Sequence, residues 1–127
     1  MIIGGGCIII SGGKVLLMKR KNVKFFNNQW SNPGGKIEEG ETIKNGIVRE
    51  AKEELGIIIS LKKNLGVYKW KIEEAEEEFS GYEAEITEGE PKIMELHKCE
   101  ALEWFDINNL PHPLAPYTAY YLKNLGY

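Results

Sequence analysis

Cysteine is nearly absent: Cys7 and Cys99 stand far apart and form no Cys-x-x-Cys pair. Neither a disulfide scaffold nor a thiol redox motif is encoded. The two histidines, His97 and His112, do not complete a zinc-ligand spacing with them. Two free, buried thiols in a reducing cytosol is the expectation that remains. No apolar run approaches the roughly 20 residues of a membrane-spanning helix. The apolar start, residues 1–10, lacks the basic region and small-residue cleavage site of a secretory signal. Also missing is an excess of positive charge, with 16 Lys and Arg against 19 Asp and Glu and a net charge of -3. A protein that coats nucleic acid non-specifically is therefore not expected. These absences predict a soluble, cytoplasmic chain without membrane or stable nucleic-acid contacts. A mildly acidic protein that handles an anion must gather positive charge locally, from Lys, Arg or a bound cation.

What is present suffices for one core: 127 residues, 43% of them hydrophobic, predict a single domain over residues 1–127. Residues 7–10 and 15–18 are short apolar runs split by Ser11-Gly12-Gly13, which predicts two strands and a tight turn. The basic cluster Lys19, Arg20 and Lys21 leaves the second strand, and 22–32 reads as loop with Phe25, Phe26 and Trp30 embedded in it. Pro33-Gly34-Gly35 predicts a break in regular structure where the backbone comes close to another group. A helix is expected over 42–55, with Thr42 able to cap its start and Gly56 just past its end. Strands over 65–72 and 79–87 flank the acidic run 73–78, which reads as a solvated hairpin loop. A last strand over 102–105 and a helix over 117–125 complete an α/β fold, a mixed sheet between helices.

Chemistry concentrates in one stretch. Gly35, Glu41, Arg49, Glu50, Glu53, Glu54 and Gly56 stand at fixed spacings, with apolar Ala51 and Ile57 between and after them. At ordinary residue usage such a match arises by chance on the order of once in a million short chains. On a helix with about 100° per residue, Ile43, Ile47, Val48, Ala51 and Leu55 cover one arc, and Glu50, Glu53 and Glu54 the neighbouring arc. Gly46, one turn before Glu50, adds no bulk there; either a close approach or plain packing explains it. Carboxylates at i, i+3 and i+4 repel one another, and a divalent cation removes that penalty. All-oxygen ligands with open water positions suit magnesium. Arg49 can pair with Glu41 or a helix carboxylate and hold the array. An exposed, salt-bridged helix with Lys44 and Lys52 would explain the glutamates alone. It would not explain Pro33-Gly34-Gly35-Lys36 upstream, which sets bare backbone and an ammonium beside them, as a diphosphate needs.

From Val15 through Ile57 the chain resembles the MutT branch of the Nudix hydrolases, in "VLLMKRK", "QWSNPGGKIEEGET" and "VREAKEELGI". Weaker likeness continues in "GEPKIMELHKCEALEWFDINNLP" and the terminal "LKNLGY". The resemblance implies a Nudix fold, a mixed sheet sandwiched between helices with a loop-helix-loop catalytic box. It also implies attack of water on phosphorus in a nucleotide, with a triphosphate giving a monophosphate and pyrophosphate. By the same resemblance Glu50, Glu53, Glu54 and the Gly34 carbonyl would hold Mg2+, with Mn2+ as a possible substitute. Arg20, Lys36 and Gly35 would meet phosphate or nucleotide, and Glu50, then Glu53, would accept the proton of the attacking water. A downstream carboxylate, Glu95 or Glu100, would complete the metal site. Trp30 and Asn32 lie where a base could be met, although a core Trp and a turn-shaping Asn explain them equally. Glu53→Gln or Glu54→Gln is expected to spare folding and cost orders of magnitude in turnover. The rivals are a hydrolase of ADP-ribose, nucleotide sugars or dinucleoside polyphosphates, and a nucleotide-binding regulator without catalysis. Monomer and homodimer both remain open, the tail leaning toward the dimer.

Overall fold

The computed structural model describes residues 1–127, apart from the side chain of Ile72. Strands β1 (Ile2–Ser11), β2 (Lys14–Arg20), β3 (Trp30–Ser31) and β4 (Gly34–Lys36) precede helix α1 (Ile43–Leu55). Strands β5 (Ile58–Ile72), β6 (Ala75–Glu88) and β7 (Cys99–Asp106) then lead to helix α2 (Pro116–Asn124). The sheet has seven strands along the path β3-β2-β1-β6-β5, with β4 paired to β1 and β7 to β2. β1 runs parallel to β6 and antiparallel to β2 and β4, so the sheet is mixed.

Each helix covers one face. Cys7 and Ile9 of β1, with Leu16 and Met18 of β2, pack under Ile47, Ala51 and Leu55 of α1. Ile8, Val15 and Leu17 face the other way, toward Tyr117, Tyr121 and Leu122 of α2. Because successive side chains alternate faces, strands buried on both sides read as unbroken apolar runs, as β1 and β2 do. The two cysteines are buried and free. Among the described residues no helix is long and apolar enough to cross a membrane.

α1 is capped at both ends by the residues the sequence offers. The Thr42 hydroxyl accepts from the Asn45 amide at 3.1 Å, and Gly56 adopts φ 68° while its N–H donates to the Lys52 carbonyl. Two expectations need correction. Gly34 does not interrupt regular structure: β4 pairs Gly34, Gly35 and Lys36 with Gly6, Gly5 and Gly4 of β1. The acidic run is no loop either, since only Glu73 and Glu74 turn while Glu76, Glu77 and Glu78 belong to β6. They pair with Lys71, Trp70 and Lys69, so lysines on two rungs offset the charge and Lys69 reaches Glu78 at 3.2 Å. Alternation then turns Glu77 inward, leaving it 4% exposed.

α2 can approach the sheet because Gly81 lies beneath Tyr121: an added Cβ would meet that ring at 2.5 Å. The ring cannot retreat easily, since its hydroxyl donates to the Phe79 carbonyl at 2.6 Å. Gly81→Val, which ordinary strand preference favours, is therefore expected to lower stability by about 1–3 kcal/mol. Urea unfolding measures this, and an unchanged midpoint would contradict the packing described.

Candidate active site

Arg49 gathers the loop before α1 onto the helix. Its Nε and Nη2 donate to the two oxygens of Glu41 at 3.1 and 2.6 Å, and Nη2 also donates to the Lys36 carbonyl at 3.0 Å. Hydrogen bonds from Arg49, with help from the Glu38 amide, hold the Glu41 carboxyl below its ordinary range. Gly46 makes room for this fork: a Cβ there would lie 2.5 Å from Ile37 Cδ1 and 2.9 Å from Glu41 Oε1. The close approach is thus the reason for a glycine inside the helix. On its other side Arg49 Nη1 donates to Glu50 Oε1 and Glu53 Oε2, both at 3.0 Å.

Arg20 does not leave β2 for solvent as the basic cluster suggests. It turns inward, donating to the Ser31 hydroxyl at 2.9 Å and to the Asn32 and Gly34 carbonyls at 3.2 and 3.1 Å. Its Nη1 meets Glu54 Oε2 at 2.6 Å, and Glu54 Oε1 accepts from the Gly34 amide at 2.8 Å. Burial pushes the Glu54 carboxyl up, and Arg20 opposes that rise. In this conformation Arg20 positions the site. Asn32 is likewise committed inside the protein: its Oδ1 accepts from Thr118 at 2.6 Å and its Nδ2 donates to the Pro33 carbonyl. Trp30 packs edge-on against Phe105 at 4.7 Å, in the layer beneath α2. The geometry thus favours the turn-shaping and packing readings of these two residues.

The helix carboxylates are not equivalent. Side-chain exposure rises from 5% at Glu54 through 15% at Glu50 to 52% at Glu53. Glu50 rests directly on β4, where a Cβ at Gly35 would lie 2.6 Å from its carboxyl carbon. Burial, then the neighbouring Glu54 charge, raises the Glu50 pKa against the pull of Arg49. No three Asp, Glu, His or Cys side chains converge on one point among the described residues. Arg20 and the Gly34 amide hold Glu54 toward the sheet, while one Arg49 nitrogen bridges Glu50 and Glu53. The donor set still fits a hard divalent cation. Glu50 carries an electrostatic penalty that such an ion relieves, and every nearby donor, including the Gly34 carbonyl, is oxygen. Lys36 stands exposed at the end of β4.

Of the two downstream carboxylates, Glu95 belongs to this neighbourhood. Its charge is felt at Glu54, and the adjacent Met94 amide donates to the Glu54 carbonyl at 3.0 Å. Glu100 is instead paired with Lys19 at 3.4 Å. Unlike Glu95, an aromatic cavity next to Gly34 and Gly35 was not anticipated from the sequence; Trp70, Glu77, Phe79 and Tyr117 are among the residues that line it. Its signal was the i, i+2 spacing of Tyr68 with Trp70 and of Glu77 with Phe79, which puts each pair on one strand face.

Removing one member of the Arg20–Glu54 pair strands a charge. Arg20→Met is expected to cost about 3–5 kcal/mol at pH 7. In that variant Glu54 keeps a raised folded-state pKa, so its folded form binds the proton more tightly than its unfolded form. The deficit against the native protein is full above the folded pKa and shrinks as pH falls toward the ordinary carboxylate range. Denaturant unfolding of both proteins across that range reads it, and a deficit independent of pH would contradict the assignment.

Known proteins similar to this chain are readily found. The NUDIX domain model matches residues 3–125. An ADP-ribose pyrophosphatase of Methanocaldococcus jannaschii is 38% identical over 106 residues, which cover 82% of this chain and 61% of that protein. An oxidized purine nucleoside triphosphate hydrolase of Danio rerio is 33% identical over 107 residues, covering 82% of this chain and 65% of that protein. The chain therefore matches less than two thirds of the length of either relative. The crystal structure of a MutT NUDIX hydrolase from Burkholderia pseudomallei shares the fold with a TM-score of 0.86 at 33% identity, covering 98% of this chain and 97% of that one. With a family model running almost from end to end, this chain belongs to the Nudix hydrolase family.

Proposed function

We propose that this chain, as a single hydrolase domain over residues 1–127, cleaves a nucleoside triphosphate to a monophosphate and pyrophosphate by attack of water on phosphorus. The observation that carries the reading is Glu50, half-buried on the Gly35 backbone, with the open carboxylate of Glu53 one turn further along α1. Glu50, Glu53, Glu54 and the Gly34 carbonyl would hold Mg2+, or Mn2+ in its place, with Glu95 the carboxylate added from downstream. The bound metal would neutralise phosphate charge and make a water more acidic.

The chain's own groups supply the rest. Glu50 accepts the proton from the attacking water, a role that suits a carboxylate whose basicity burial has raised. Lys36 stabilises charge on the departing pyrophosphate. Arg49 holds Glu50 and Glu53 in reach of each other before substrate arrives, and Glu41 holds Arg49. Arg20 and Glu54 fix the spacing between α1 and β4. The reading places the protein in the cytoplasm as a monomer or homodimer, with a nucleotide as its partner.

A second reading has its own support. The 38% identity to a protein named as an ADP-ribose pyrophosphatase favours hydrolysis of ADP-ribose, with nucleotide sugars and dinucleoside polyphosphates as related substrates. A panel of these compounds and nucleoside triphosphates with Mg2+, scored for product identity, separates the two. Monophosphate plus pyrophosphate from a triphosphate is the expected outcome. Preferred release of AMP and ribose phosphate from ADP-ribose would favour the second reading. Binding without turnover across the panel would mean a regulator.

Glu53→Gln is expected to lower kcat by about 10²–10⁴-fold. Its melting temperature should stay unchanged, because the side chain is half-exposed. Glu54→Gln differs from the sequence expectation: burial against Arg20 means it also lowers stability. Near-native turnover in Glu53→Gln would contradict the carboxylate assignment.

A further inference from the structure

A cavity of about 180 Å³ opens beside the Gly34–Gly35 strand and runs to the β5–β6 hairpin. Whole-ligand pockets measure roughly 300–1,000 Å³, so this one has room for a single planar ring system. Its walls are aromatic. Trp70 and Tyr117 lie nearly parallel, 18° apart with centroids at 6.4 Å, while Phe79 and Phe26 meet Trp70 edge-on at 4.7 and 5.2 Å. One end touches the glycines that carry Glu50, where phosphates are needed, and Glu77 lies among the lining residues of β6.

Arg20 and Lys24 bring charge to the lining, and two further polar groups face each other across one rung of it. The Trp70 indole N–H is buried and has no hydrogen-bond partner. Glu77 is 4% exposed, and burial raises its carboxyl pKa against the opposing Lys24 charge. The two are direct cross-strand partners, so their Cβ atoms lie about 4.5–5.5 Å apart on one face. Packing alone gives no reason for a buried carboxylate on this rung or for an indole N–H left without a partner, since an unmet buried donor is costly. A ligand with complementary polar atoms removes that cost.

We propose that Trp70 and Glu77 read the edge of the nucleobase and select guanine. An ionised carboxylate is acceptor-only and has two oxygens. Guanine presents a ring N–H beside an exocyclic amino group, two adjacent donors that one carboxylate takes together, and next to them a carbonyl oxygen that accepts from the indole N–H. Adenine offers the amino group alone and turns a ring acceptor toward the second carboxylate oxygen. Hypoxanthine lacks the amino group. The aromatic faces hold any purine; the polar pair distinguishes among them. This rests on the nucleotide hydrolase reading for the placement of phosphates at Gly34 and Gly35.

The test measures binding of non-hydrolysable analogues of GTP, ITP, ATP and UTP to the full chain in Mg2+, where turnover plays no part. GTP is expected to bind tightest, with ITP and ATP weaker by roughly tenfold to a hundredfold, the worth of one good base-edge pairing. Glu77→Gln should collapse the preference for GTP over ATP, since an amide offers a donor beside its acceptor. Trp70→Phe should weaken GTP while keeping the ring stack. Melting temperatures at or above the native value in both variants would show that the polar groups serve the ligand and not the fold. Equal binding of all four nucleotides, no binding of GTP, or an unchanged preference in Glu77→Gln overturns the proposal. Selective binding of the analogues, with no hydrolysis of the nucleotides themselves in Mg2+, would instead sink the hydrolase reading and leave the base-reading pair standing.

Discussion

The Glu54 carboxylate is the joint on which the site depends. One of its oxygens holds the Gly34 amide of β4 and the other holds Arg20 of β2, while its own backbone carbonyl receives the Met94 amide from the segment before β7. A charged side chain placed so deeply stays there only if its oxygens are partnered, and here the two partners come from β2 and β4, one to each oxygen. The consequence is positional. Helix α1 cannot slide along β4, so Glu50 stays seated on Gly35 and Glu53 stays beside it at the surface.

Two arginines divide the electrostatic work. Arg20 is buried with the carboxylate it neutralises and belongs to the scaffold. Arg49 sits nearer the surface and spans Glu41, Glu50 and Glu53, so it compensates the like charges on the helix face while the protein waits for its ligand. A cation entering between Glu50 and Glu53 would compete with one guanidinium arm and would leave the Glu41 fork intact. On the proposed reading the array would therefore change its counter-ion without losing its frame, as a site that binds and releases charged substrate requires.

Much of this was legible in the sequence, and the failures have physical causes. The caps at Thr42 and Gly56 and the apolar arc of α1 are local features, and local chemistry decides them. The doubly buried strands β1 and β2 announce themselves as apolar runs. Arg20 reads as part of a basic Lys-Arg-Lys cluster leaving β2 because its partner lies 34 residues away, and nothing nearby shows that it turns inward. Strand β4 exists only through pairing with three glycines at the start of β1, a long-range match that composition disguises as a turn. Glu77 was hidden in an acidic run, where period-two alternation is easily mistaken for simple polarity. Metal ligation follows from the signature residues as an expectation; the structure adds the unequal burial of the glutamates and the choice of Glu95 over Glu100 as the nearer carboxylate.

Hydrolysis at this site requires Glu50 and Glu53 to exchange Arg49 for a divalent ion when a nucleotide is held. A crystal structure with Mg2+ and a non-hydrolysable nucleoside triphosphate analogue examines this directly. The expected result is cation density about 2.1 Å from oxygens of Glu50 and Glu53, bridged to phosphate beside the Gly34 carbonyl. An ordered nucleotide with both carboxylates still on Arg49, and no cation between them and the phosphates, would contradict it.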